Sequence, residues 1–310
     1  MTTEIAANMS DSVSRLPITD VTFARILVAT DFSEQANQAL KFAISTSHLF
    51  GSKLTLVHAS SLVLRGTDNE PISAEILEAN LDADRKEMEQ LVLNDPELGR
   101  LRPHIVVAYG DPKDLIKNIA LDDKADLIIA GSHGASGLER LALGSVAESL
   151  LHQESRPVLI VGPKCKVAPD PFRSILCATD LRTTGLRGAR YAASFAKHAH
   201  GKLTLLHVEE SRPESDGEGN KPAHEQIFQD LRQLVPADVE NHCTVQLRLE
   251  QGKVAETITN VAHSECTSLI VVGLQDRLFA DHLPWSTLSY LVRESPCPIL
   301  GVRNSLAPEL

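Results

Sequence analysis

Basic charge is scarce in this sequence. Lysine and arginine number 30 against 41 aspartates and glutamates, a net charge of −11 over 310 residues. Such a surface repels a phosphate backbone and gives no long-range attraction to anionic lipid, which excludes nucleic acid and membrane as main partners. Long apolar runs are missing too. None approaches the ~18 residues that a membrane-spanning helix requires, and the opening MTTEIAANMSDSVSRLPITD lacks the basic-then-apolar order of a secretory signal. The expected location is the cytoplasm. Cysteine is sparse and badly spaced for a metal: Cys165, Cys177, Cys243, Cys266 and Cys297 contain no CxxC pair and are odd in number. Free thiols and no metal site are expected. Cys177 and Cys297 fall in apolar, strand-like runs, where cysteine serves as a small hydrophobe.

What is present is a repeat. RILVATDFS (25–33) returns as SILCATDLR (174–182), and GSKLTLVHA (51–59) as HGKLTLLHV (200–208), so that Asp31 and Asp180, and His58 and His207, are each 149 residues apart. GDPKDLIKNIA (110–120) then matches GKVAETITNVA (252–262), and ADLIIAG matches TSLIVVG, at a spacing of 142, so the second copy is shorter in its middle. The organisation read from this is a flexible, polar tail over 1–20, a first domain over 21–163, a short proline-rich linker over 164–171, and a second domain over 172–303.

Within each copy, short aliphatic runs alternate with segments of helical periodicity. RILVATD is too short for a helix, while Ala36, Ala39, Leu40, Ala43 and Ser47 recur at helical spacing until Gly51. Continuous apolar strands separated by helices predict an α/β fold: two tandem copies of an open, mostly parallel five-stranded sheet with helices on both faces. Ligands in such folds bind beyond the carboxyl ends of the strands, at the point where strand order reverses.

The stretch IIAGSHGASGLERLALGSVAESLL (128–151) runs from an apolar strand through glycines into a helix. Glycine lets the main chain approach a ligand closely, and the free N–H groups of a helix start attract anions. The pattern is neither GxxxxGK[ST] nor GxGxxG; Gly131, Gly134, Gly144 and Ser145 form G-x2-G-x9-G-S. Each residue also has a plainer reading. Asp31 could be the N-cap of the following helix, with Glu34 three residues on. Gly131 and Gly134 could be turn glycines, Ser145 a helix cap, and His133 a solvent-facing turn residue.

Together with VATDFS closing the first strand and LVHA closing the second, that glycine pattern resembles the universal stress protein family in its ATP-binding branch, and does so twice along the chain. The resemblance implies a Rossmann-like adenine-nucleotide site in the first domain, with ATP as ligand, accompanied or not by Mg²⁺. Asp31 would meet the ribose and adenine side, with main chain at Ala29 and Ala59 near the base. Gly131, Ser132, His133 and Gly134 would line the first phosphate loop. Gly144, Ser145 and Val146 would hold the remaining phosphates through N–H groups and the serine hydroxyl. It also implies antiparallel pairing of the two domains through RPVLIVG (156–162) and CPILGV (297–302), an internal pseudo-dimer that leaves further homodimerisation open.

Two functions follow, a nucleotide-binding module in stress response or signalling and a slow ATPase or phosphotransfer enzyme on the same site. Phosphoryl transfer needs positioned Mg²⁺ ligands and a group orienting the nucleophile. The loop offers Ser132, His133, Ser136, Glu139 and Ser145, no lysine, and one arginine, Arg140. Binding is favoured. The second domain is expected to have lost its site: aligned at constant spacing, Gly273 replaces Gly131, Asp276 replaces Gly134, and Ser286-Thr287 replace Gly144-Ser145, with Leu283, Pro284 and Trp285 adding bulk.

Overall fold

The computed structural model describes residues 21–60, 74–134, 143–166, 170–181, 183–210, 221–274 and 285–303. The expected tail (1–20), part of the linker, Ser136, Glu139 and Arg140 of the first loop, and Asp276, Leu283 and Pro284 of the second lie outside the described residues.

In the first half, β1 (Arg25–Ala29), β2 (Lys53–Ser60), β3 (His104–Tyr109), β4 (Leu127–Gly131) and β5 (Val158–Val161) alternate with α1 (Glu34–Phe50), α2 (Ala74–Asn94), the short α3 (Pro96–Leu101), α4 (Pro112–Asp122) and α5 (Ser145–Gln153). The second half repeats this with β6 (Ser174–Ala178), α6 (Thr183–His198), β7 (Lys202–Glu209), α7 (Lys221–Gln233), β8 (Thr244–Gln251), α8 (Val254–Ser264), β9 (Leu269–Leu274), α9 (Trp285–Glu294) and β10 (Ile299–Arg303). α1 shows how local signals set the ends. The Ser33 hydroxyl accepts the Ala36 amide at 3.2 Å, and Gly51 ends the helix at φ +69°, a conformation glycine adopts without a Cβ penalty.

The strands form one ten-stranded sheet in the order β3-β2-β1-β4-β5-β10-β9-β6-β7-β8. Each half is parallel internally. The halves meet where β5 and β10 run antiparallel, with Leu159 opposite Leu300 and flanked by the pairs Ile160–Ile299 and Val158–Gly301. That pairing removes the two edges that would otherwise be exposed to other chains. Alternate strand residues point to opposite faces, so each face carries one core that runs across both halves: Ile26, Val28 and Ile175 with α1 and α6 on one, Leu27, Leu176 and Ile270 with α4, α5, α8 and α9 on the other. On the first face Phe23 and Phe50 pack against Phe195 of the other half at ring separations of 5.4 and 5.1 Å. Residues 21–163 alone would expose the β5 edge and these two rings, and sedimentation of that fragment should show self-association; a stable monomer at high concentration would contradict the seam described.

All five cysteines are free. Burial pushes the thiols of Cys165 and Cys177 up to about 12 and that of Cys297 well above its ordinary value, whereas Cys266 is exposed. Since the thiolate is the reactive form, alkylation of the folded protein near neutral pH should label Cys266 first and leave these three unmodified until unfolding, as peptide mass mapping would show. Among the described residues no helix is long and apolar enough to cross a membrane.

Candidate functional site

The chain lays down β1, β2 and β3 in one direction and then crosses back to place β4 and β5 on the other side of β1. Beyond the carboxyl ends of β1 and β4, where strand order reverses, lies a cavity of about 260 Å³. Ala29, Asp31, Ala59, Gly131, Ser132, His133, Gly134, Gly144, Ser145 and Val146 all line it. Sequence reasoning missed Thr30, Ala36, Val57, Pro112, Ile116, Ala130 and Ala147, which complete the wall. Pro112 was signalled, because Asp111 caps α4 through the Lys113 amide at 2.8 Å and Pro112 takes the first helical position.

The glycines do different work from one another. A Cβ at Gly131 would stand 3.0 Å from the Gln35 carbonyl carbon and 3.1 Å from the Ala36 nitrogen, so this glycine lets the start of α1 pack on the end of β4. A Cβ at Gly134 would stand 2.7 Å from Asp31 Oδ2, which brings the loop down onto the first-strand carboxylate. Gly144 brings its main chain within hydrogen-bonding reach of Ser132, its N–H donating to the Ser132 carbonyl at 2.8 Å. That bond corrects one expectation: the Gly144 amide is already committed to Ser132, which leaves the amides of the next residues as the available donors.

Those donors belong to α5. Gly144 is its N-cap, in extended conformation and with no side-chain cap bond, and Ser145 is the first helical residue rather than the cap. In an α-helix the first-turn amides have no intrahelical acceptor. Those of Ser145, Val146 and Ala147 therefore sit at the cavity wall with the positive end of the helix dipole behind them, worth roughly 0.3–1 kcal/mol per facing charge, up to ~2 when partly buried.

Asp31 is not the N-cap of α1, because Ser33 holds that role. Its Oδ1 accepts the Ser33 amide at 3.1 Å, an Asx-type turn. Phe32 between them adopts φ +62°, and its amide donates to Thr30 Oγ1 at 3.1 Å. The second half repeats the turn, with Leu181 at φ +63° and its amide on Thr179 Oγ1 at 3.0 Å. The turn belongs to the scaffold, so the survival of Asp180 says nothing by itself about ligand binding. His58 and His207 are equally matched, each with Nδ1 2.9 Å from the carbonyl of Thr30 or Thr179. His133 is half-buried rather than solvent-facing; its Nδ1 lies 2.8 Å from Ser132 Oγ, and its buried Nε2 has no hydrogen-bond partner among the described residues.

Asp31 is the one carboxylate among the described lining residues, and none is lysine or arginine. The wall is apolar on the side of Ala29, Val57, Ala59 and Ile116 and rich in N–H donors on the side of α5. Such a cavity suits a ligand with a flat apolar part and an anionic end.

The second half keeps the strands and differs at two wall positions among the described residues. Burial recurs at Ala147, Leu150 and Leu151 in α5 and at Leu288, Leu291 and Val292 in α9, which places Trp285 where Gly144 stands, one residue out of the register expected from constant spacing. Leu274 likewise follows Gly273 where Ser132 follows Gly131.

Residues 22–162 and 171–303 each match the profile of the Universal stress protein family. The chain belongs to that family. Among curated universal stress proteins it is 31% identical to MJ0577 of Methanocaldococcus jannaschii over 159 residues, 46% of this chain and 98% of that protein. A putative universal stress protein of Staphylococcus aureus is 28% identical over 169 residues, 52% of this chain and 96% of its own. In architecture the chain is similar to a universal stress protein from Archaeoglobus fulgidus, with a TM-score of 0.67 at 21% identity, covering 91% of this chain and 99% of that one.

Proposed function

We propose that the protein is an adenine-nucleotide-binding module, with ATP as its ligand, one site in the first half, and the second half as its structural partner. The carrying observation is the start of α5: a helix capped by glycine, without a side-chain cap, aims its free amides into the same cavity that Asp31 and the Gly131–Gly134 segment line. In this reading the apolar wall takes the base, Asp31 the ribose hydroxyls, and the amides of Ser145 and Val146 with the Ser145 hydroxyl the phosphates. Neutral donors bind the anion without adding a titrating group to the wall. Mg²⁺ enters as the companion of the triphosphate. Among the described residues no three His, Cys, Asp or Glu side chains converge as a metal site.

The reading favours binding over turnover because the described wall presents no lysine or arginine to stabilise charge on a transferring phosphoryl group. Purified protein is titrated with labelled ATP in the presence and absence of Mg²⁺, and ADP release is followed separately. Saturable binding with no ADP above the protein-free control is the expected result. Failure to bind any adenine nucleotide would overturn the reading, and steady ADP release would move the protein to the enzymes.

A further inference from the structure

We propose that Arg303, at the end of β10, is the positioning residue through which the second half sets the nucleotide affinity of the first; this rests on the binding reading above. Arg303 is 8% exposed, an unusual place for a guanidinium. Its Nη2 donates to the Leu151 carbonyl at 2.5 Å and its Nε to the Glu154 carbonyl at 3.1 Å. Those carbonyls close the last turn of α5, the helix whose first turn faces the cavity. A nine-residue helix is about 13 Å long, so it moves as one body: a cation gripping its carboxyl end fixes where its free amides stand and favours its dipole.

The seam is symmetric in backbone and asymmetric in chemistry. Leu159 and Leu300 pair at its centre, with Val158 equivalent to Ile299, Leu151 to Val292, and Gly162 to Arg303. At the Gly162 position a Cβ would run into the Val292 carbonyl oxygen. The half with the glycine-lined cavity therefore has the carbonyls at its helix end held by arginine, while in the reverse direction the equivalent position is glycine and the end of α9 is met through a side chain, Lys164 pairing with the Glu294 carboxylate. Trp285 adds a second contact of the same sense. It occupies the place of Gly144, and its ring lies 3.9 Å from that of His152 on the last turn of α5. The substitution that fills the second half's helix start thus supplies a brace for the first half's helix. Because coupling between sites is reciprocal, ATP bound at the start of α5 must in turn tighten β10.

The test titrates full-length wild type, Arg303→Met and Arg303→Lys with ATP and measures hydrogen exchange over residues 299–303 with and without it. Arg303→Met is expected to weaken ATP binding about tenfold at unchanged stoichiometry, with Arg303→Lys recovering part of the loss. ATP should slow exchange in β10 of the wild type and lose that effect in Arg303→Met. A folded Arg303→Met protein with wild-type affinity, or with undiminished protection of β10 by ATP, overturns the inference. If Arg303→Met does not fold, Trp285→Leu decides: a several-fold loss of affinity supports the brace on α5, and no change overturns it. A wild type that binds no ATP overturns the binding reading itself, which separates the two failures.

Discussion

Replacing Gly134 with aspartate is expected to weaken ATP binding at least 100-fold while leaving the far-ultraviolet circular dichroism unchanged. A Cβ at this position already meets Asp31 Oδ2 at 2.7 Å, so the new side chain must turn toward the cavity that both residues line. The new carboxylate and a phosphate charge ~4 Å apart repel by about 1 kcal/mol in water and ~4 at an effective dielectric of 20, and a triphosphate carries several such charges. A 100-fold loss corresponds to about 2.7 kcal/mol, within reach of that repulsion alone. Gly134→Ala, which adds the Cβ without the charge, should lie between the variant and the wild type. Equilibrium dialysis with labelled ATP measures all three. Unchanged affinity in a folded Gly134→Asp protein would remove this loop from the phosphate site.

Gly162→Val should produce the largest loss of stability, about 2–3 kcal/mol. Gly162 follows β5, and a Cβ there runs into the carbonyl oxygen of Val292, main chain of a packed helix that cannot swing aside as the tip of a side chain can. Overpacked sites cost typically 1–3 kcal/mol, and a β-branched residue restricts the rotamers that might relieve the contact. The strain falls at the seam, where α9 of the second half meets the end of β5. Urea unfolding followed by circular dichroism would show the loss as a lower midpoint. A midpoint equal to the wild type would mean that α9 does not pack on β5 as described.

The sheet and its layers were legible because aliphatic runs as short as VLIV leave little choice but a buried strand, and because the repeat supplied each assignment twice. The cavity wall was legible through its glycines, though not the reason for each. Gly131 answers to α1, a contact 96 residues away in sequence, and no local pattern separates that need from the need to approach a phosphate. The role of Asp31 turned on a neighbour: Ser33 is the better-placed cap, and an aspartate two residues earlier turns its carboxylate to the Ser33 amide instead. Trp285 was misaligned by one residue because constant spacing hid a shortening of the loop, and only the burial of Leu288, Leu291 and Val292 fixed the register. Asp95 before Pro96 is a helix-start signal that announces α3. Arg303 had no signal at all, since an arginine closing an apolar strand reads as the return to solvent until the other half of the chain is in place.

The central claim is one adenine-nucleotide site per chain, in the first half. Calorimetric titration of the full-length protein with ATP measures it most directly: the account predicts a stoichiometry near one, abolished by Gly134→Asp. A stoichiometry of two, or binding that persists in Gly134→Asp and disappears only when Asp180 is also changed, would contradict it.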